Sequence, residues 1–503
     1  LSYTNTFDKH SIEVSAFTEY VKAHLRGFGF TQTGLDPKSS APYAGTGYIG
    51  YDGNPYYVPS VNANKTDAGL FSYFGYADYD YDTTFGFSGT LRRDASYRFN
   101  TTNRWGTFWS VSGRWNLEAM DFMNGSAFDV LKLRASYGKT GNQNILGESI
   151  FAAPNASRDI YGSTPGYANN QALGIFSLGN DTLKWEEIFQ ANIGIDYELF
   201  NSRIRGSFDV YQKTTKDLYQ SVGLSAINAI TEIDANFGEL RNRGVELAVK
   251  GDVIRNDDLR VTLNFNGSYN ENEIVDVPSE TGTNWDGESL TAITEGRSLN
   301  EYYVLKYAGV NPVNGNLLFY DADGNLTENP DPAIDRQYTG ENFFPKFQGG
   351  FGFDIDYKGF YATSLFSFVT NTYRYDYDYS GLVDPSNIGI FNLSEDILRA
   401  WTPENTSTDI PALNASNRDL EQFSDRFLKD ASYLRMRYLT VGYNFQPQFL
   451  ENTFLKSAKV FAQGENLFTW TKWRGWDAES NRSADQYQYP TPRIYSIGLE
   501  LKF

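Results

Sequence analysis

The chain of 503 residues has no cysteine, two histidines and three methionines. Without thiols there is no disulfide framework, no thiolate metal site and no thiol nucleophile. A metal pair from His10 and His24 is conceivable, but surface or lumen positions on a strand and its loop edge are the plainer reading. No stretch approaches the roughly 20 apolar residues a spanning helix needs. That excludes a helical membrane protein and leaves a strand-built one open. Net basic charge is also missing: the formal charge is -19. Phosphate recognition needs a concentrated basic surface, so a nucleic-acid partner is excluded. HExxH, GxSxG and P-loop patterns are absent, and nothing points to an enzyme. Gly45-Thr46-Gly47-Tyr48-Ile49-Gly50 fits GxGxxG, but Pro42 and Pro55 bracket it, and a flexible loop is expected. The N-terminus shows neither an initiating Met nor a basic start with an apolar core. The chain is therefore expected to differ from the primary translation product.

What is present in quantity is aromatic: 36 Tyr, 37 Phe and 9 Trp, 16% of the chain. Yet the mean hydropathy is -0.48. A soluble β-sandwich or propeller reaches this combination because aromatics favour strands. A transmembrane barrel reaches it because alternate residues face a watery lumen and an apolar band edged by aromatic girdles. Period-two alternation recurs from end to end. Phe189-Ala191-Ile193-Ile195-Tyr197-Leu199 is interleaved with Gln190, Asn192, Gly194, Asp196 and Glu198. Leu259-Val261-Leu263-Phe265 is interleaved with Arg260, Thr262 and Asn264. Phe351-Phe353-Ile355-Tyr357 behaves likewise, as does the last segment, Tyr495-Ile497-Leu499-Leu501-Phe503.

The links between these segments alternate in length. Short ones fall at Phe200–Arg203, Ile254–Asp257 and Tyr357–Gly359. Long Gly-, Asn-, Asp- and Pro-rich excursions run from Arg26 to Ala68, Thr140 to Thr182, Glu271 to Asn300 and Asn371 to Asp430. Such loops count against strands in a soluble domain, but they are expected on the extracellular side of an outer-membrane barrel. The pattern predicts an all-β fold, a transmembrane antiparallel β-barrel of about 14 or 15 strands here, without a second domain. Alternation is already under way at Ile12-Val14-Ala16, so the rest of the barrel is expected upstream. One helix is predicted within a long loop, from Ser394 to Trp401, with a Ser cap, two early acids and Pro403 beyond it.

Several segments carry a resemblance. Leu91-Arg92-Arg93-Asp94-Ala95-Ser96-Tyr97-Arg98-Phe99 with Asn103-Arg104-Trp105-Gly106 resembles a hairpin of the SusC-like TonB-dependent transporters of Bacteroidota, Ser96-Tyr97 being a mild departure. Leu131-Lys132-Leu133-Arg134-Ala135-Ser136-Tyr137-Gly138 with Thr140-Gly141-Asn142-Gln143 resembles that family's best-known signature. Asn242-Arg243-Gly244-Val245-Glu246-Leu247, Trp401-Thr402-Pro403-Glu404-Asn405 and Asn466-Leu467-Phe468-Thr469 follow in family order. The matches run from about Leu70 to Phe503. The resemblance implies a C-terminal barrel portion of about 22 strands in all, with a plug and a TonB-binding segment in a part not present in this sequence. It implies import of oligosaccharides or peptides across the outer membrane, a SusD-like surface lipoprotein and TonB as partners, energy passed from the inner-membrane proton gradient, and dimers of transporter–lipoprotein pairs.

Candidate ligand-binding residues are loop aromatics and acids: Tyr373, Tyr375, Asp376 and Tyr377, then Trp473 and Trp476. Tyr373 to Tyr379 alternates with Arg374, Asp376 and Asp378, so an aromatic girdle at a strand edge is the plainer reading. The functional one is a stacking platform for sugar rings with carboxylates accepting hydroxyl hydrogen bonds. Asp321-Ala322-Asp323-Gly324-Asn325 looks like the start of a calcium loop, but position twelve is Pro332 rather than Glu. A hairpin turn on Asp-Gly is expected, with a loop divalent cation as the minor alternative and no other cofactor. Tyr495, Ile497, Leu499, Leu501 and Phe503 are expected to be the barrel-assembly strand, since a free apolar edge is otherwise an aggregation hazard. Two other functions compete with active import: a passive porin, and a secreted soluble carbohydrate-binding protein.

Overall fold

Like faces meet like across neighbouring strands. In the computed structural model, Val249, Phe265, Phe351 and Phe366 stand directly opposite one another on four successive strands. Phe351 and Phe366 stack at 4.9 Å. Such aromatic cross-strand pairs fix register, because a one-residue slip would send every apolar side chain to the other face. The structure describes the chain apart from 32–47, 50–54, 57–59, 145–148, 153–154, 226, 228–229, 280–282, 285–288, 452 and 480–489. Four of the six residues of the Gly45–Gly50 segment lie outside the described residues.

A single 15-stranded antiparallel sheet follows chain order, in agreement with the predicted architecture. Its first five strands are β1 (Ser2–Phe7), β2 (His10–Thr31), β3 (Ser60–Tyr81), β4 (Phe85–Ser96) and β5 (Trp105–Asn116). Then come β6 (Phe128–Asn142), β7 (Glu186–Leu199), β8 (Ile204–Lys216), β9 (Glu239–Arg255) and β10 (Leu259–Asp276). The last are β11 (Phe347–Tyr357), β12 (Phe360–Thr370), β13 (Tyr433–Asn444), β14 (Ser457–Thr471) and β15 (Ile494–Lys502). Among the described residues, β1 and β15 each pair with one neighbour only.

The apolar face carries aromatics at two levels. On β3, Phe71 and Tyr73 pack against Trp105 at 6.0 and 5.6 Å. Near the opposite end, Tyr79 and Tyr81 meet His10, and Phe85 stacks on Trp115 at 5.8 Å. From Phe71 to Tyr81 the path is about 33 Å at ~3.3 Å per residue. A tilt of about 40° reduces this to roughly 25 Å, the height of a barrel's apolar band.

One end of the sheet has tight turns. Lys358 and Gly359, both at positive φ (49° and 94°), join β11 to β12, the signature of a type I′ hairpin. Lys9 crosses to Asp82 at 2.7 Å on the same rim. The other end has long connections, and here one expectation is corrected. The excursion thought to end at Asn300 runs on to 346, because Glu301–Val310 is not a stave. It belongs to a separate four-stranded sheet with Leu317–Tyr320, Leu326–Thr327 and Arg336–Asn342. Glu301, Tyr302, Val304 and Leu305 are all buried, so this strand is covered on both faces, unlike a half-buried barrel strand.

Candidate functional site

The polar face is organised by ion pairs across strands. Arg134 on β6 donates to Asp196 on β7 at 2.8 and 2.9 Å, and to Asp209 on β8 at 3.1 Å. On β9 and β10, Asn242 Oδ1 accepts from Asn270 and Asn272 at 3.1 and 3.0 Å, while Tyr211 donates to Asn270 at 2.9 Å. Gly244 makes room for this cluster. A Cβ there would stand 2.1 Å from the Tyr269 carbonyl and 2.7 Å from the Tyr211 hydroxyl.

In the connection between β14 and β15, the described residues Asp477 and Glu479 lie against this polar face. Arg435 on β13, buried, pairs with Asp477 and with Glu479, the latter at 2.9 Å. Arg437 also takes Glu479 and donates to Ser367 at 2.6 Å. Burial pushes the Asp477 carboxyl up, but Thr491 and Arg435 outweigh this and hold it below the usual carboxylate range. Beneath lies a recess of about 520 Å³ whose lining includes Asp209, Glu246, Asn266, Gln348, Arg437 and Glu479.

Above the sheet, the long connections 277–346 and 371–432 are fused. Asn417 Oδ1 accepts from the Leu317 N–H at 3.0 Å, and its amide donates to the carbonyls of Leu317 and Glu328 at 2.9 and 2.7 Å. The Tyr307 N–H donates to Asp425 at 2.8 Å, and Trp401 Nε1 to the Pro312 carbonyl at 3.1 Å. Each connection has its own apolar centre: Leu305, Leu317 and Phe319 in one, Tyr375, Tyr379, Val383, Ile410 and Phe427 in the other. Burial drives the Asp425 carboxyl up, against the pull of the Tyr307 N–H.

The predicted binding residues divide. Tyr373–Tyr375 is a short strand paired with Leu428–Asp430, and Tyr377–Leu382 is an α-helix. The strand-edge girdle expected for Tyr373 to Tyr379 is therefore corrected. Alternation stops because Asp376 caps the helix, its Oδ1 accepting from the Tyr379 N–H at 3.0 Å, which is the common use of Asp at such a position. Asp376 and Tyr375 are buried. Tyr377 is half-buried and packs on Tyr375 at 4.5 Å. Trp473 stands 5.9 Å from the Arg374 guanidinium, and Trp476 is exposed. Ser394 caps Glu395–Arg399 as expected, but the turn is a 3-10 helix. Asp321 Oδ1 accepts from the N–H groups of Asp323 and Asn325 in a turn with Gly324 at φ 83°, the expected Asp-Gly hairpin. His10 bonds Tyr79 and His24 bonds Asp67 at distant positions of β2, so they make no metal pair.

Tyr375 and Tyr377 line a cleft of about 730 Å³ in the fused connections. Arg418, Glu421, Asp384 and Asp419 line it too. Sequence reading missed these four because no motif or spacing links 375–377 to 418–421, and Asp384 lies beyond the alternating Tyr373 to Tyr379 stretch. Burial raises the Glu421 carboxyl, while Arg426 and Arg418 oppose the rise.

The family model for "TonB dependent receptor-like, beta-barrel" matches residues 2–343. The chain belongs to that family. TonB-dependent receptor P3 of Formosa agariphila is 29% identical over 100% of this chain and 52% of its own length. TonB-dependent receptor SusC of Bacteroides thetaiotaomicron is 29% identical over 91% of this chain and 46% of its own. Among solved structures, the RagAB peptide transporter superposes with a TM-score of 0.88 at 25% identity, covering 100% of this chain and 54% of that one. The chain thus spans about half the length of the curated relatives it matches. The family is one of receptors and transporters, and its barrels are outer-membrane proteins; this barrel is an outer-membrane barrel of that family.

Proposed function

We propose that this barrel is the outer-membrane conduit of a TonB-dependent importer of oligosaccharides or peptides, acting with a SusD-like surface lipoprotein. The observation that carries the reading is the loop held by Arg435 and Arg437 across the polar face. A segment tied to the polar face supports selective passage over an open pore. The fused connections above the sheet supply a structured extracellular surface on which a lipoprotein lid can close. Likeness to the RagAB peptide transporter supports the peptide class, and the resemblance of the sequence motifs to SusC-like transporters supports the oligosaccharide class.

The test is deletion of the gene, followed by growth on defined oligosaccharides and on peptides as sole carbon source, with and without an intact TonB. Selective loss of growth on one class, reproduced by removal of TonB, is the expected outcome. Growth that is insensitive to TonB returns the assignment to a passive porin. Affinity purification of the receptor from outer membranes, with mass spectrometry of what accompanies it, tests the lipoprotein.

A further inference from the structure

The cleft in the fused connections has two unlike walls, and together they select a ligand chemistry. One wall is aromatic: Tyr377, half-exposed, packs at 4.5 Å on Tyr375. Tyr375 is fixed from behind, its hydroxyl donating to the Glu421 carbonyl at 3.1 Å. The other wall is polar. Arg418, itself mostly buried, donates to the Val383 carbonyl at 3.0 Å and lies 3.1 Å from Glu421. Glu421 is also paired with Arg426, so its charge is answered twice. The carboxylates left at the opening are Asp384 and Asp419, with the Gln422 amide beside them.

We propose that this cleft binds a neutral pyranose unit of an oligosaccharide at the extracellular mouth, which rests on the importer reading above. A sugar ring presents C–H groups on its faces and hydroxyls around its edge, so it needs an apolar plane and hydrogen-bonding oxygens and nitrogens at the same time. Aromatic faces are suited to the first and carboxylate and amide groups to the second. The lining carries three acids, Asp384, Asp419 and Glu421, against Arg418, and this net negative charge disfavours a uronate or sulfated sugar, since like charge repels in a partly enclosed site. The volume, about 730 Å³, lies within the range of roughly 300–1,000 Å³ usual for small-ligand sites.

The test uses the full receptor purified with whatever lipoprotein accompanies it. Calorimetric titration is made with maltohexaose, laminarihexaose, cellohexaose and mannohexaose, and separately with a tryptic digest of casein. At least one hexasaccharide is expected to bind saturably. Tyr377→Ala then weakens it about tenfold, roughly the loss of one good contact, Tyr377→Phe leaves it near wild type, and Asp419→Asn weakens it about threefold. Asp419 is exposed, so that variant reads the site without disturbing the fold. Absence of hexasaccharide binding, or binding unchanged by Tyr377→Ala and Asp419→Asn, overturns the proposal. Casein-peptide binding lost in Tyr377→Ala overturns the sugar and gives the cleft to peptides. Cells separate the two levels: uptake abolished by deletion but untouched by both variants removes the cleft and leaves the importer, whereas uptake untouched by deletion removes the importer.

Discussion

The Arg98 guanidinium donates to the Gln143 carbonyl at 2.7 Å. It also reaches Asn144 Oδ1 at 3.0 Å and the Ser149 carbonyl at 2.6 Å. The two segments joined are those of the strongest family resemblance, Leu91–Phe99 and Leu131–Gln143, so what reads as two motifs is one structural unit. Phe99 beside Arg98 closes it by packing against Trp185 at 5.6 Å.

Arg98→Met keeps the side-chain bulk but leaves these carbonyls without their charged donor. Buried acceptors left unmade cost about 1–3 kcal/mol. The expected outcome is a lower urea midpoint of the folded barrel and faster amide exchange in residues 141–144 and 149–152. Unchanged exchange there would show that the loop is held by other contacts.

Much of the fold was readable because it rests on period two. Phe351 and Leu263 announce their face in any window of ten residues, and Lys358-Gly359 announces its turn. The fused connections were not readable in the same way. Glu301–Val310 has strand composition, but only its burial on both faces distinguishes it from a stave. Tyr373 to Tyr379 alternates, yet the Asp376 cap overrides alternation and turns the chain into a helix. Arg435 and Asp477 are 42 positions apart, and no local pattern reports such a pair. The candidate site was legible only in its aromatic half, Tyr375 and Tyr377, because the polar half comes from a different stretch of chain.

Gly244→Val is expected to weaken the barrel. The added atoms meet the Tyr269 carbonyl and the Tyr211 ring, and overpacking of this kind costs about 1–3 kcal/mol. The readout is a lower temperature at which the folded band is lost in heat-modifiability gels. Tyr211→Ala in the same chain should restore part of the loss by clearing space. A second-site change without effect would place the strain at the backbone.

Phe351→Arg puts a cation on the apolar face, between the turn at Lys358-Gly359 and the outer aromatics Phe347 and Phe368. Near the bilayer midplane this costs about 2–4 kcal/mol. Less protein is expected in the outer-membrane fraction, and Leu501→Asp on β15 should act in the same direction. Asn264→Arg, on the opposite face and next to Gly352, is the control and should accumulate normally. Equal accumulation of Phe351→Arg and Asn264→Arg would remove the assignment of faces.

The hold on the loop between β14 and β15 should depend on pH. The Asp477 carboxyl is held below its ordinary range when folded, so folding favours its charged form. Its stabilising contribution is fully present above the unfolded value of about 3.9 and is lost as pH falls through the folded value. Amide exchange in residues 474–479, corrected for intrinsic rates, should therefore be slow at neutral pH and accelerate below about pH 4. Asp477→Asn removes the titration, but it leaves Arg435 with Glu479 alone and loosens the loop at every pH. Arg435→Met is the harsher change, because buried Asp477 then loses its cation while Glu479 keeps only Arg437. Removing one partner of a buried pair costs on the order of 3–5 kcal/mol. Faster exchange in Arg435→Met than in Asp477→Asn is the expected order, and the reverse order would mean that Glu479 and Arg437 carry the attachment.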